Sequence, residues 1–268
     1  MPNSRSSGIF GDRKSGGGLF AGVPLDIVSK REGCYQMWDF LTVGEIAAFS
    51  ATDVGTAVAE TLTIRFDGKY GVLDLDAGTS ANTGSSVTTA VANDAGEFVV
   101  PTAAVAATSS AAAIPASEIV YETRISFDNV DGYDWFVGLG DRNVPILTAA
   151  GAITTLQDWA GFHHQLSNPG VYNLTVNAAN GTAQTTAITA ANKNANKTLA
   201  DSTYVKLGIR ITGTQGVEFF IDDTLVHAVT TTAGYAQGLQ PHLAVVSNGS
   251  ATQVDTDYII LGQNRIGL

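Results

Sequence analysis

The stretch Tyr204–Val229, YVKLGIRITGTQGVEFFIDDTLVHAV, leaves the chain the least freedom. Val205, Leu207, Ile209 and Ile211 alternate with Lys206, Gly208, Arg210 and Thr212. A period of two is that of a strand with one buried face, because successive side chains of extended backbone point to opposite sides. The loop Gly213-Thr214-Gln215-Gly216 follows, with glycines able to take positive φ. Val217, Phe219 and Ile221 then point one way, and Glu218 and Phe220 the other. Asp222-Asp223-Thr224 forms the next turn, since Asp side chains bond their own backbone there. Leu225–Val229 runs out again, and nothing in the stretch has a helical period.

The same pattern recurs. Glu118–Asp128 (EIVYETRISFD) alternates, and Asp134–Gly140 (DWFVGLG) follows a turn at Asp131-Gly132. Gly161–Leu166 reads as a short strand with two histidines. Val171–Val176 and Ala183–Ile188 flank an Asn180-Gly181 hairpin turn. Gln240–Val246 and Tyr258–Leu261 complete the set. About ten short strands at 8–12-residue spacing, without a convincing helix, specify an antiparallel sandwich. Upstream, Cys34–Val43, Val58–Phe66, Tyr70–Leu75 and Glu97–Val100 read as strands, the middle two as a hairpin around Asp67-Gly68. Ala77–Ala92, rich in Ser, Thr, Ala and Gly, reads as a loop.

Four regions result. Residues 1–23 form an extended Gly/Ser-rich arm with apolar anchors Ile9, Phe10, Leu19 and Phe20. Residues 24–100 form a small β unit. Residues 101–117, PTAAVAATSSAAAIPAS, form an Ala/Thr-rich linker or loop. Residues 118–268 form the sandwich, so the expected fold is all-β with a smaller N-terminal unit and an arm. A compact fold of 268 residues buries roughly three quarters of its unfolded surface and needs no staples. The single cysteine, Cys34, excludes an internal disulfide and reads as a small buried hydrophobe.

Only 15% of the residues are charged, and the net charge is -11. That charge argues against a nucleic-acid or anionic-membrane partner. Five of the 14 basic residues, Arg5, Arg13, Lys14, Lys30 and Arg31, fall within the first 31 positions, so the remainder is more acidic still. MPNSRSSGIF has no apolar segment of the kind a secretory signal needs, and no run approaches the ~20 apolar residues of a membrane span. A protein of this kind would reach an extracellular place by lysis or on a particle.

The pieces YETRISF, WFVGLGD, YVKLGIRIT, VEFFIDDTLVHAV and DYIIL resemble the concanavalin-like lectin/glucanase jelly roll over about 118–262. The resemblance implies that the WFVGLGD strand lies on the concave face. It also matches the VEFFIDDTLVHAV strand–turn–strand to a Phe-x-Asp-Gly style signature, with Asp223 where the family often has Gly. The wider organisation is similar to tailed-bacteriophage head decoration, or cement, proteins, and this resemblance implies synthesis in a bacterial host cytoplasm and residence on a virion.

The family's enzymes hydrolyse glycosides with paired carboxylates on alternate residues of one strand, in a Glu-x-Asp-x-x-Glu pattern. No such pattern occurs here. Glu118 and Glu122 share a strand face but read as solvated carboxylates, and no enzyme is expected. Asp128, Asp131 and Asp134 in DNVDGYD suggest a calcium loop, against an ordinary Asx turn. His163-His164 face opposite ways on a strand, and His227 and His242 stand alone, so no metal or cofactor is expected. Tyr133, Trp135 and Trp159 form a candidate sugar-stacking platform, against ordinary core aromatics. Phe10, Arg13, Lys14 and Phe20 are the candidate arm contacts. Three functions follow in order: a capsid decoration protein that binds the major capsid protein as a homo-oligomer, most simply a trimer; a lectin-like receptor- or glycan-binding virion protein; and a glycanase.

Overall fold

The computed structural model describes residues 33–40, 48–55, 62–67, 70–89, 99, 103, 116–141, 145–153, 158–178, 182–188, 199–250 and 252–264. These contain strands β1 (Gly33–Trp38), β2 (Phe49–Gly55), β3 (Leu62–Asp67), β4 (Tyr70–Asp76), β5 (Ala81–Thr89), β6 (Glu118–Phe127), β7 (Asp134–Gly140) and β8 (Trp159–His164). They continue with β9 (Tyr172–Asn177), β10 (Gln184–Ala187), β11 (Val205–Thr212), β12 (Gly216–Ile221), β13 (Thr224–Thr230), β14 (Gln240–Asn248) and β15 (Gln253–Asn264). Among the described residues there is no helix.

The strands form two antiparallel sheets. The first runs β13-β12-β11-β6-β15-β4-β3, with β1 also on β15, and the second runs β10-β9-β8-β7-β14-β5-β2. Alternation does what the opening stretch requires. Leu207, Ile209 and Ile211 of β11 enter the inter-sheet core, joined by Ile119, Tyr121 and Ile125 of β6 and Phe219 of β12. From the second sheet come Trp135, Val137 and Leu139 of β7, Phe162 of β8, and Leu243 and Val245 of β14. Asp222 and Asp223 have φ of 45° and 63°. Positive φ at both central residues is the geometry of a two-residue type I′ turn, whose twist suits a hairpin. It joins β12 to β13 with Ile221 opposite Thr224. Gly213, at φ 62°, supplies the left-handed residue after β11.

The expected small unit at 24–100 is corrected. β1, β3 and β4 extend the first sheet, and β2 and β5 extend the second. The 12-residue β15 pairs β4 through Gln253–Thr256 and β1 through Ile259–Asn264. Leu73, Leu75, Val87 and Phe49 accordingly lie in the same core as Trp135 and Ile209. Among the described residues, the apolar side chains of these strands join clusters shared with the later strands and form no core of their own. The boundary at 101–117 loses its meaning with it, although only 103, 116 and 117 of that stretch are described.

The loop at Ala77–Ala92 is also corrected. β5 sits between β14 and β2, and its residues from Thr83 to Thr89 are buried. Small and β-branched side chains suit a strand covered on both faces but give no alternation to read. β2 is a further strand not expected. Val99 makes an isolated bridge to Leu239 where Glu97–Val100 was expected to be a strand. The arm at 1–23 lies outside the described residues.

Glycines set the closeness of the central strands of the second sheet. A Cβ at Gly138 would lie 2.3 Å from the Ala160 carbonyl oxygen, and one at Gly161 2.3 Å from Cζ of Phe136. Gly138→Ala should therefore push β7 from β8 and cost about 1–3 kcal/mol. A denaturation midpoint equal to that of the parent chain would refute this packing.

Candidate functional site

The three aromatics proposed as a glycan platform do not form one. Tyr133 and Trp135 are 1% and 0% exposed and point between the sheets. The Trp135 indole N–H donates to the Val130 carbonyl at 2.9 Å, and its ring packs on Phe127 at 4.5 Å between centroids. The Tyr133 hydroxyl donates to the Gln253 carbonyl at 3.0 Å. Both are core residues whose polar atoms are satisfied, as buried Tyr and Trp normally require. Alternation puts Trp159 on the outer face of the second sheet, but it too is buried, in a cluster with Val54, Phe136, Ile146, Leu147, Ala244 and Val246. Its indole donates to Thr175 Oγ1 at 3.2 Å. Leu147 and Ile153 bridge across a short turn over this face, and His163 Nε2 donates to the Gly151 carbonyl at 3.0 Å. The centre of the second sheet is thus covered on its outer side by its own side chains and the 145–153 segment.

His163 and His164 face opposite ways, as alternation demands. Burial pushes His163 down to about 4, so it is neutral at physiological pH. His164 is fully buried, stacked on Trp135, with Nδ1 donating to the Tyr133 carbonyl at 2.9 Å and Nε2 3.4 Å from Asp131 Oδ1. His227 is half-buried on β13, and His242 is buried on β14 against Gly140. The carboxylates of the 128–134 segment reach out to different parts of the chain. Asp131 Oδ1 accepts from the Gly170 amide and the Tyr172 hydroxyl, each at 2.9 Å. Asp134 Oδ1 accepts from the Leu166 amide at 2.7 Å, and Asp128 Oδ1 from the Asn129 amide at 2.8 Å. Among the described residues no group of three His, Cys, Asp or Glu side chains converges as metal ligands would.

The charged chemistry lies instead on the outer face of the first sheet. There β6 presents Glu118, Val120, Glu122 and Arg124, while β11 presents Lys206, Gly208, Arg210 and Thr212. The reading of Glu122 as a solvated carboxylate is corrected: it is 1% exposed and accepts a 2.6 Å hydrogen bond from the Tyr258 hydroxyl. Ile260 on β15 and Gly208 on β11 are its cross-strand partners. Burial raises its carboxyl to about 7, with the Tyr258 hydrogen bond and Lys206 pulling the other way. Lys206 pairs with Asp223, and Arg124 with Asp257 at 2.5 Å while stacking over Tyr204 at 4.3 Å. A carboxyl perturbed this far is the kind of group that marks functional sites, and periodicity alone did not distinguish it from Glu118.

Two residues along on the same face, Arg210 donates through Nε and Nη2 to Glu218 Oε2, each at 2.5 Å, across the β11–β12 register. Beside this pair runs an open groove of about 560 Å³, walled by Glu118, Arg210, Glu218, Thr212 and Thr230. The candidate arm residues Phe10, Arg13, Lys14 and Phe20 lie outside the described residues.

No family model matches the chain, and no curated protein does. Solved structures do. A Bacteroides ovatus glycoside hydrolase family 16 endo-glucanase is similar at 11% identity and a TM-score of 0.54, over 84% of this chain and 99% of that one. A structure described with endo-acting O-glycanases of human gut bacteria that initiate mucin breakdown is similar at 10% identity and 0.55, over 84% and 97%. The Bacillus licheniformis β-glucanase is similar at 10% and 0.50, over 85% and 97%. The chain has the concanavalin-like jelly-roll fold, and the match extends well upstream of the 118–262 span from which it was read. The expectation that the chain is not an enzyme is corrected here. Its fold is one that glycoside hydrolases share.

Glu122 carries a pH signature. Unfolded, a Glu titrates near 4.5; folded, this one titrates near 7. Between those values the folded state holds a proton that the unfolded state has released, so stability falls as pH rises through the window. Glu122→Gln keeps an acceptor for Tyr258 and removes the titration. The variant should exceed the parent chain in stability at pH 8 by up to about 3 kcal/mol, a gap closing below pH ~5. Parallel stability–pH curves for the two proteins would show that Glu122 titrates normally.

Proposed function

We propose that this chain is a glycan-recognising β-sandwich. The observation that carries the reading is the match of its two-sheet fold, over more than four fifths of the chain, to nearly complete glycan-cleaving domains. The polar outer face of the first sheet supports it, offering carboxylates, guanidinium and hydroxyls on a rigid surface of the kind sugar hydroxyls bond to. The fold serves both capture and cleavage, so the experiment pairs a glycan array with a reducing-end assay on the bound glycans. Binding to a defined subset of glycans is the expected result. An array without signal, together with no new reducing ends from a polysaccharide panel, would end the reading.

A second reading, a capsid decoration role, is favoured by the sequence itself. A basic, glycine-rich N-terminal stretch with Phe10 and Phe20 as anchors precedes a body whose charge is strongly negative. In this reading the arm, through Phe10, Arg13, Lys14 and Phe20, lies on the major capsid protein at the virion surface. A homo-trimer there stabilises the shell by mass action, binding the assembled form alone. The two readings are compatible, since a virion-borne sandwich can also grip host glycans. Deleting residues 1–23 should abolish shell binding while leaving the far-UV spectrum unchanged; a truncated chain that still binds shells rules the arm out.

A further inference from the structure

We propose that the groove on the outer face of the first sheet is a docking site for a neutral glycan, with Arg210 and Glu218 as its specificity-determining pair. The proposal rests on the glycan reading above and assigns that function a place. The fold has two outer faces, and side-chain packing separates them. On the second sheet Phe136 and Trp159 are buried beneath Ile146 and Leu147, so the centre of that face, over β7, β8 and β14, is filled by the protein itself. On the first sheet the groove is open, and its volume of about 560 Å³ falls within the range of small-molecule sites.

Strand register explains why these groups meet. Thr212 of β11 stands opposite Glu118 of β6 and opposite Gly216 of β12, which in turn faces Thr230 of β13. One step along, Arg210 faces Glu218, and Glu218 faces Ala228. The row therefore runs carboxylate, hydroxyl, bare backbone, hydroxyl, beside a row of guanidinium, carboxylate and methyl. Gly216 contributes depth, since it lines the groove without placing a side chain in it. Ala228 gives an apolar methyl between the polar walls, while Val229, next along β13, turns its side chain to the inter-sheet core. A pyranose has the complementary form, an apolar C–H face rimmed by hydroxyls that donate to carboxylates and accept from guanidinium N–H groups.

Charge narrows the class. Two carboxylates face one guanidinium, and Arg210 is held by two bonds to one oxygen of Glu218. With the chain at -11, a uronic or sialylated glycan meets repulsion, while hydroxyl–carboxylate bonds to a neutral sugar are charge-assisted.

The test uses the full chain on an array of neutral, uronic and sialylated glycans. The double variant Arg210→Gln/Glu218→Gln is compared with Thr230→Tyr, which fills the groove and spares the pair, and with Trp159→Phe on the opposite face. Thermal melts check folding throughout. The expected result is binding of neutral glycans, weakened at least tenfold by the double variant and by Thr230→Tyr and unchanged by Trp159→Phe. Full binding by both groove variants overturns the groove and leaves the glycan reading standing. A preference for acidic glycans overturns the charge argument. An array on which the parent chain binds nothing overturns the glycan reading, and the groove with it.

Discussion

The structure depends on aromatic and aliphatic side chains being excluded from water between two sheets. Trp135 sits at the centre of that layer, against Phe127, His164 and Tyr172, with its one polar atom bonded to Val130. Burying an aromatic of this size removes 150–250 Å² from water, about 4–6 kcal/mol at 25 cal/mol per Å². Placing Trp135 inside dictates the orientation of its strand. Asp134 and Phe136 must then face outward, and Asp134 becomes the acceptor that holds the Leu166 amide. The same constraint on β6 sends Tyr121 inward and Glu122 outward.

The two outer faces then diverge because of what their strands carry. β7 and β8 offer glycines and aromatics outward, and Phe136 lies across Gly161 where a side chain would have stood. The result is a second, smaller apolar cluster that needs covering. β6, β11 and β12 offer carboxylates, guanidinium and ammonium groups outward, and these pair across strands: Arg210 with Glu218, Lys206 with Asp223. Partly exposed pairs of this kind contribute little to stability. Their effect is to hold polar groups at fixed positions on a rigid surface, which is what recognition of a polar ligand requires. Glu122 is the exception, buried within that charged face and held by Tyr258.

Strands with one wet face were legible from alternation. The β11–β12–β13 run was read with its turns, and Asp134–Gly140 was placed to the residue although both its faces are covered, because large apolar side chains after the Asp131-Gly132 turn mark it. Where both faces are covered and the side chains are small, the signal vanished. β5, all Ser, Thr, Gly and Val through its buried length, was read as a loop. Its neglect, with that of β2, made the first hundred residues look like a separate unit. The candidate site was less legible. Trp135, Trp159 and Tyr133 were rightly noticed, but composition does not say whether an aromatic on a strand is a platform or a filler. Glu118 and Glu122 looked alike at four residues' spacing, and only Ile260 and Tyr258, more than 130 positions away, make one of them buried.

Taken alone, the order of residues determined that this chain is an all-β sandwich, because a period of two needs only local backbone geometry and one apolar face. It also determined the turns, through Gly and Asp at positions of positive φ. Tertiary structure decided which strands are neighbours, which of two identical-looking carboxylates loses its water, and where on the first sheet's outer face a groove lies. Those outcomes depend on contacts between positions far apart in sequence, where the long strands β14 and β15 recruit partners from both sides of residues 101–117, and no local pattern encodes that choice.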